Sequence, residues 1–547
     1  MQCLIPFLSC AFIILSSIVI NAYSYRPINA HKQWFRYPGN PGIKIRLTKK
    51  GANHVKSVGV QIFNDYISEL KDYSTTVPFS QLGLNGNVHL KKLHIKTYHP
   101  PQLSVLNFFP PNHIILGLEN LAMSMGSQFT ADSPPFKIEG SLDGSMAGMT
   151  IALTTELITD IQGRMNAVVR NCSALVSRTH VTLNPTGPMA IFVKPFEPMI
   201  NDSVKKRIPE ILCERLQQLI EKNIVKMFDQ ISRIDLQDYF PKMTKKEKDV
   251  MSLFVSQLAN GMFVDNRMIT QPLITMDYIE TNHLGEIRFE NHTEAAPFYP
   301  KPMEFSDEPV NLDNNSMAQF YISDHLLNSM LYHAYQDNRL SIRMDEGNLP
   351  NEMKSFVATS CPTKRHPSIV CVGSLIPQIG ASFPNSTTSF VILPHGLPYV
   401  MFNTEATAIE LTNRVLTYVQ PEDDPTGRNK TQVLVFSITG QADLHFNPTN
   451  DSLNARMTLN RFNVRLHRSS VRGIDESSIS RLSPLSKTFI GPRLNTAVEK
   501  AAKFPMQETV KFINPKIQNY NGFIVLTTDF KLDKTKISKI VRKSLEL

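Results

Sequence analysis

The chain has 547 residues, too many for one hydrophobic core, so two or more domains are expected. Hydrophobic residues make up 42% and charged residues 19%, which excludes a disordered chain. The net charge of +9 is mild for this length; it suits anionic lipid or membrane partners, and a solvated surface accounts for it equally well.

Along the chain, Leu4 to Ala22 is mostly apolar and Ala22-Tyr23-Ser24 has the small-x-small form of a cleavage site. Residues 1–24 read as a secretory signal peptide, with an uncleaved anchor as the alternative. No later stretch has about 18 consecutive apolar residues, so no second membrane span is expected. Ile43, Ile45 and Leu47 alternate with Lys44 and Arg46, which predicts a strand. Val55, Gly59, Ile62, Tyr66 and Leu70 step at helical spacing, and so do Val204, Ile208, Ile211, Leu212, Leu216, Ile220, Ile224, Met227 and Phe228. Pro209 either kinks that second helix or marks its start. Between these helices, Gly140 to Gly148 reads as a hairpin turn, because no lysine or helix start accompanies it as a phosphate cradle requires. Ala296 to Pro302 carries three prolines and reads as a connector. Leu326, Leu327, Met330 and Leu331 predict a helix, and Phe489, Leu494, Val498 and Ala501 another, with Pro492 a break. Leu453, Ala455, Met457 and Leu459 alternate, and Phe462, Val464 and Leu466 resume after a one-residue slip, which predicts a bulged strand. Each half thus follows one plan of early helix, many strands and late helix, the mark of a diverged duplication.

Six cysteines are present, and Cys3 and Cys10 would leave with the signal peptide. Cys172, Cys213, Cys361 and Cys371 remain, an even number suited to an oxidising compartment, and three pairings are open. Cys172–Cys213 with Cys361–Cys371 is favoured; the second pair closes a short loop, and two separate thiols are its alternative. Glycosylation sequons at Asn171, Asn201, Asn291, Asn314, Asn385, Asn429 and Asn450 agree with export. No Gly-x-Ser-x-Gly elbow, His-Glu-x-x-His helix, P-loop, Cys-x-x-Cys pair or EF-hand loop appears. His325 and His333 lack the i,i+4 spacing of helical metal ligands and read as surface or core residues, so no cofactor and no metal are expected.

The order of segments resembles the family of bactericidal/permeability-increasing protein, lipopolysaccharide-binding protein and cholesteryl ester transfer protein. Asn40-Pro41-Gly42 leading to Gly51 is similar to the family's mature amino terminus, and Ile138 to Met149 to its hairpin. Cys172 and Cys213 sit where the family places its shared disulfide. Pro297 to Phe305, Ile322 to Ser329, Leu459 to Leu466 and Phe523 to Leu526 resemble segments of its carboxy-terminal domain. The resemblance runs from about Asn40 to about Leu532. It implies an α+β fold of two elongated barrel domains, each of twisted antiparallel sheet with long helices, joined by a central sheet in a boomerang shape. The corresponding segments are a first barrel at 37–268, connector and central sheet at 269–300, a second barrel at 301–532 and a basic amphipathic tail at 533–547.

The function that the resemblance implies is likewise an expectation: a secreted, extracellular monomer that binds, and in some members transfers, phospholipid or other acyl lipids in apolar pockets, touching membranes transiently and binding no nucleic acid. It is not expected to be an enzyme. Candidate pocket walls are Val55, Ile62, Tyr66, Leu212, Leu216 and Ile220. The alternatives are bacterial lipopolysaccharide recognition in innate defence and, more remotely, a secreted lipid hydrolase. The family's cationic tip loops align with Gly126 to Phe136 and Ser74 to Gln81, which hold no basic residue, and this counts against lipopolysaccharide. Lys91, Lys92 and Lys96 form the nearest basic cluster and read as a solvated strand face. At the carboxy terminus, Ile537, Ile540, Val541 and Leu545 would share one helical face beside Lys536, Lys539, Arg542 and Lys543; a frayed polar tail is the plainer reading.

Overall fold

The computed structural model describes residues 39–544, apart from internal stretches of which the longest are 187–196, 222–231, 237–249, 305–314, 362–369 and 486–508. The segment 1–24, Leu70, the stripe residues Ile224, Met227 and Phe228, the Phe489–Ala501 stripe, Leu545, and the sequons at Asn314 and Asn450 lie outside the described residues.

Strand β1 (Ile43–Thr48) buries Ile43 and Ile45, as its alternation requires. Thr48 ends it, and its hydroxyl accepts the amide of Gly51 at 3.3 Å, capping helix α1 (Lys49–Ser68). A Cβ on Gly51 would stand 2.3 Å from the Met317 carbonyl oxygen, so only glycine lets the helix start this close to the second half of the chain. Six strands follow: β2 (Tyr73–Gln81), β3 (Leu84–His99), β4 (Leu103–Phe109), β5 (His113–Ser133), β6 (Phe136–Thr159) and β7 (Met165–Thr186). They pair antiparallel in the order β2-β3-β5-β6-β7, and β4 takes the part of β5 that β3 leaves free. Helix α2 (Glu197–Gln218) passes through Pro209, which therefore neither starts nor ends it. Next come β8 (Arg233–Asp235), α3 (Val250–Ala259), β9 (Met262–Asp265), β10 (Leu273–Ile274), β11 (Tyr278–His283) and β12 (Glu286–Phe289).

The second half repeats the plan. β13 (Ala318–Ser323) leads to α4 (His325–Gln336) and to β14 (Ile342–Met344), β15 (Ser386–Pro394), β16 (Tyr399–Phe402), β17 (Thr407–Pro421), β18 (Thr431–Pro448) and β19 (Leu453–Ser469). Their order is β14-β15-β17-β18-β19, with β16 attached to β17 as β4 is to β5. β20 (Val510–Tyr520), β21 (Phe523–Leu532) and α5 (Lys534–Ser544) complete the described chain. A central antiparallel sheet joins the halves in the order β10-β11-β1-β13-β21-β20. It is symmetric about the β1/β13 pair, the two strands that open the two halves. The duplication therefore survives as topology. The central sheet also draws on strands outside 269–300. The fold is α+β, made of twisted antiparallel sheets and a few long helices.

Three local readings change. Gly140 to Gly148 is not a turn but the middle of the 24-residue strand β6. A Cβ at Gly140 would meet the Asn184 carbonyl oxygen at 2.5 Å and the Phe129 ring at 2.8 Å, so glycine there serves close packing. The two stretches aligned with tip loops are largely strand, β2 and the end of β5 with the start of β6. The tail from Lys534 is a helix, capped by Asp533 Oδ1 on the Lys536 amide at 3.1 Å and tied to α1 by Lys534–Asp65 at 2.8 Å. Both histidines of α4 are core residues. The bulge in β19 is present, opposite Gln441 and Ala442.

A buried polar joint lies where α4 meets β9 and β12. Glu286 Oε1 accepts from His333 Nε2 at 3.0 Å and from the Ala296 amide at 2.7 Å, and Oε2 accepts from Arg288 at 2.8 Å. A carboxylate only accepts, so His333 donates from Nε2, and its Nδ1 lies 2.9 Å from His292 Nδ1. Burial opposes ionisation of Glu286, but the hydrogen bonds from His333 and Arg288 outweigh it and bring its pKa down to about 2.

The same region sets an acid response. Burial holds His283 and His325 down at about 4 and holds Asp324 up at about 6. As pH falls from 6.5 towards 4, the unfolded chain takes up protons on both histidines that the folded chain refuses, so stability is lost across that window. Asp324 acts oppositely below pH 6, because its folded form takes the proton first. At pH 5 the histidines cost about 4 kcal/mol together and Asp324 returns about 1. The urea midpoint is therefore expected to fall between pH 7 and pH 5 by the equivalent of roughly 3 kcal/mol. Equal midpoints would show that these imidazoles are not kept neutral by the fold.

Candidate functional site

The inner face of the first long sheet is largely apolar, with Ser127 buried among its hydrophobic residues. Leu90, Met123, Met125, Phe129, Leu142 and Met149 of β3, β5 and β6 form one cluster with Ile67 of α1 and Ile200, Val204, Ile208 and Leu212 of α2. Thioethers are polarisable and flexible, so such a wall conforms to varied apolar shapes.

Three contacts hold α2 on this face. Cys172 of β7 is bonded to Cys213 of α2, with Sγ–Sγ 2.02 Å and Cα–Cα 5.7 Å. β7 is the last strand of its sheet, and two of its amides, on either side of the disulfide, are taken up, one by α2 and one by Glu221 just past its end. Leu183 donates to Glu197 Oε1 at 3.1 Å and Val169 to Glu221 Oε1 at 3.0 Å. On the other side, Tyr98 of β3 donates its hydroxyl to Asn64 Oδ1 of α1 at 2.7 Å. Burial pushes the Tyr98 phenol well above its usual value, so it remains a neutral donor.

The six candidate wall residues are not all brought together. Leu212 lies in the cluster, and Tyr66 and Leu216 pack against it half-buried. Ile62 is buried on α1 outside that cluster. Ile220 joins a neighbouring cluster with Ala52, Phe108, Leu153 and Ile274, nearer the central sheet. Val55 is 43% exposed. The methionines of β5 and β6 were not among the candidates; their signal is the alternation Leu121, Met123, Met125 in β5.

The second long sheet faces a separate cluster. Phe436 and Val464 of β18 and β19 meet Ile376, Ile379 and Ile479 from short helical segments. The Cys361–Cys371 bond, Cα–Cα 5.7 Å, anchors the segment that begins at Val372. β19 is the edge strand here, and its Leu466 amide donates to Glu476 Oε2 at 3.1 Å, the device already seen on β7. Asn328 of α4 likewise pairs its side-chain amide with both backbone groups of Val400 in β16, at 2.8 and 2.9 Å. Of the described sequons, Asn171, Asn291, Asn385 and Asn429 are exposed, whereas Asn201 is half-buried. Among the described residues no group of three His, Cys, Asp or Glu side chains is placed to hold a metal, and no helix is long and apolar enough to cross a membrane. Walls of this kind hold a ligand by dispersion and exclusion of water.

The sequence profile of the LBP / BPI / CETP family, N-terminal domain, matches residues 55–223, and that of the family's C-terminal domain matches residues 256–532. The chain is 21% identical over 495 residues to the bactericidal permeability-increasing protein of Sebastes schlegelii, covering 90% of this chain and 95% of that one. It is 19% identical over 498 residues to the phospholipid transfer protein of Homo sapiens, covering 90% and 91%. Among solved structures, that of lipopolysaccharide binding protein aligns over 90% of this chain and 99% of that one, at 16% identity and a TM-score of 0.41.

Proposed function

Because the chain belongs to the LBP / BPI / CETP family, we propose that it binds phospholipid or other acyl lipid in the two apolar interiors and exchanges it with membranes outside the cell. The observation that carries this reading is the first interior, a largely apolar sheet face covered by two helices, one of them fastened by a disulfide. Burying a methylene gains about 0.8 kcal/mol against water, so a sixteen-carbon chain gains roughly 12 kcal/mol. A bilayer offers the same chain about as much, so transfer between the two is close to neutral and needs no covalent step. Tyr66, Leu212 and Leu216 are the wall residues this reading retains. The chain would act as a secreted monomer without catalysis, its exposed sequons carrying glycans. Lipopolysaccharide has weaker support, since the stretches aligned with cationic tip loops carry no basic residue and their Asp132 already pairs with His89 at 3.4 Å.

Native mass spectrometry of the protein secreted by its own cells tests the proposal. The expected spectrum shows adducts of phospholipid mass that denaturation releases. A lipid-free spectrum, together with no uptake of a fluorescent phospholipid from vesicles, would overturn it.

A further inference from the structure

The outer face of the second long sheet differs from that of the first. Cross-strand registers put Arg465 of β19 in one row with Ser437, Arg414 and Leu393, and Arg461 two same-face rows on with Gln441, Glu410 and Tyr399. Arg468 shares a row with Val435, Leu416, Val391 and, on β14, Arg343. Arg456 lies further along, opposite His445. These side chains point away from the core, because the alternate positions Val415, Phe436 and Val464 fill it. Among the described residues none of these six arginines forms an ion pair. Glu410 and Asp443 are the acids on the same face, and Asp443 is engaged by Asn460 at 2.6 Å. On the first sheet Lys96 is tied to Asp143 and Arg170 to Glu156, while the exposed Lys91 and Arg178 form no ion pair among the described residues.

The charge is not evenly spread. Arginines gather towards β19, while the β15–β16 side shows Leu397, Tyr399 and Met401 at 44%, 43% and 38% exposure. The free edge of β16 at Val400 is already taken by Asn328, so these side chains are not displayed by a strand awaiting a partner strand. A surface that is cationic on one side and apolar on the other matches an anionic bilayer, which offers phosphates and, just beneath them, hydrocarbon. A soluble polyanion would use the arginines and leave the apolar side in water.

We propose that this face, from Arg456–Arg468 across to Leu397–Met401, docks the protein on anionic phospholipid bilayers. The choice of partner rests on the lipid-carrier reading; the face itself does not.

Flotation of the full secreted chain with vesicles of phosphatidylcholine containing phosphatidylserine, and of phosphatidylcholine alone, tests it. Binding is expected only to the first, and to fall with added salt. The variant Arg461→Gln/Arg465→Gln/Arg468→Gln should lower the partition by roughly a hundredfold. The lysine triple at the same positions should retain binding, which separates lost charge from misfolding. Leu397→Ser/Met401→Ser should weaken vesicle binding and leave retention on an immobilised acidic polysaccharide unchanged. Wild-type binding by the glutamine triple, or binding of wild type to the polysaccharide but not to vesicles, would overturn the proposal. Loading of fluorescent phospholipid is read separately, so an empty carrier that still floats defeats the carrier reading alone, and a loaded one that does not float defeats this one alone.

Discussion

Glu286→Ala is expected to destabilise the protein by on the order of 3–5 kcal/mol, because it leaves His333 buried without its acceptor and Arg288 with only the more distant Asp265, at 3.6 Å. His333 is fully buried and Glu286 is 2% exposed, so water cannot replace the lost partner. The Ala296 amide also loses its acceptor, which frees the connector from the joint. Urea denaturation should show the loss as a lower midpoint. Glu286→Gln should fall between, since its carbonyl oxygen still accepts from Ala296 while the charge is gone. Combining Glu286→Ala with His333→Ala should cost less than the sum of the two, because the second change removes a group the first had orphaned. Additive losses would mean that the two side chains do not act as a pair. The carboxylate's own contribution disappears only between pH 4.5 and about 2, below the histidine window, because its folded pKa is depressed.

Cys172→Ala is expected to cost about as much. The bond closes a loop with a sequence separation of 41, which in the chain-entropy picture is worth about 4 kcal/mol. The consequence should be local as well as global. Without the bond, α2 rests on β7 through Glu197, through Glu221 just past its end and through its apolar face. Hydrogen exchange should therefore quicken in 197–218 before it does in the central sheet, and a phospholipid taken up by the first interior should leave faster. Uniform exchange across the chain, with unchanged lipid release, would show that the disulfide does not act as the fastening for this helix.

The features legible in the sequence came from short-range pattern. The alternation of Ile43 and Ile45 placed β1, and the slip between Leu459 and Phe462 placed a bulge that pairing confirms. The repeated plan of the halves was visible only in outline; its proof lies in β4 and β16 occupying the same place in two sheets. The face of α1 was misread at Val55 because this helix meets different neighbours at its two ends. Gly51 and Ala52 pack near Met317 and the Ile220 cluster, while Phe63 and Ile67 pack on the sheet, so no single stripe describes it. The glycines of β6 resembled a turn because turn residues and close-packing residues share a composition. The Glu286 joint was not legible at all, since His333 stands 47 positions away and charge next to charge in sequence carries no such information.

The place of β1 between β11 and β13 governs how this protein can be made. Strand β1, the first among the described residues, has no neighbour on one side until position 283 has emerged, and none on the other until position 322. For much of translation it waits with both edges bare, which makes the nascent chain a client for chaperones. A break in the gene that severs the two halves would leave each with three strands of the central sheet and one newly bared edge, β1 in the first and β13 in the second.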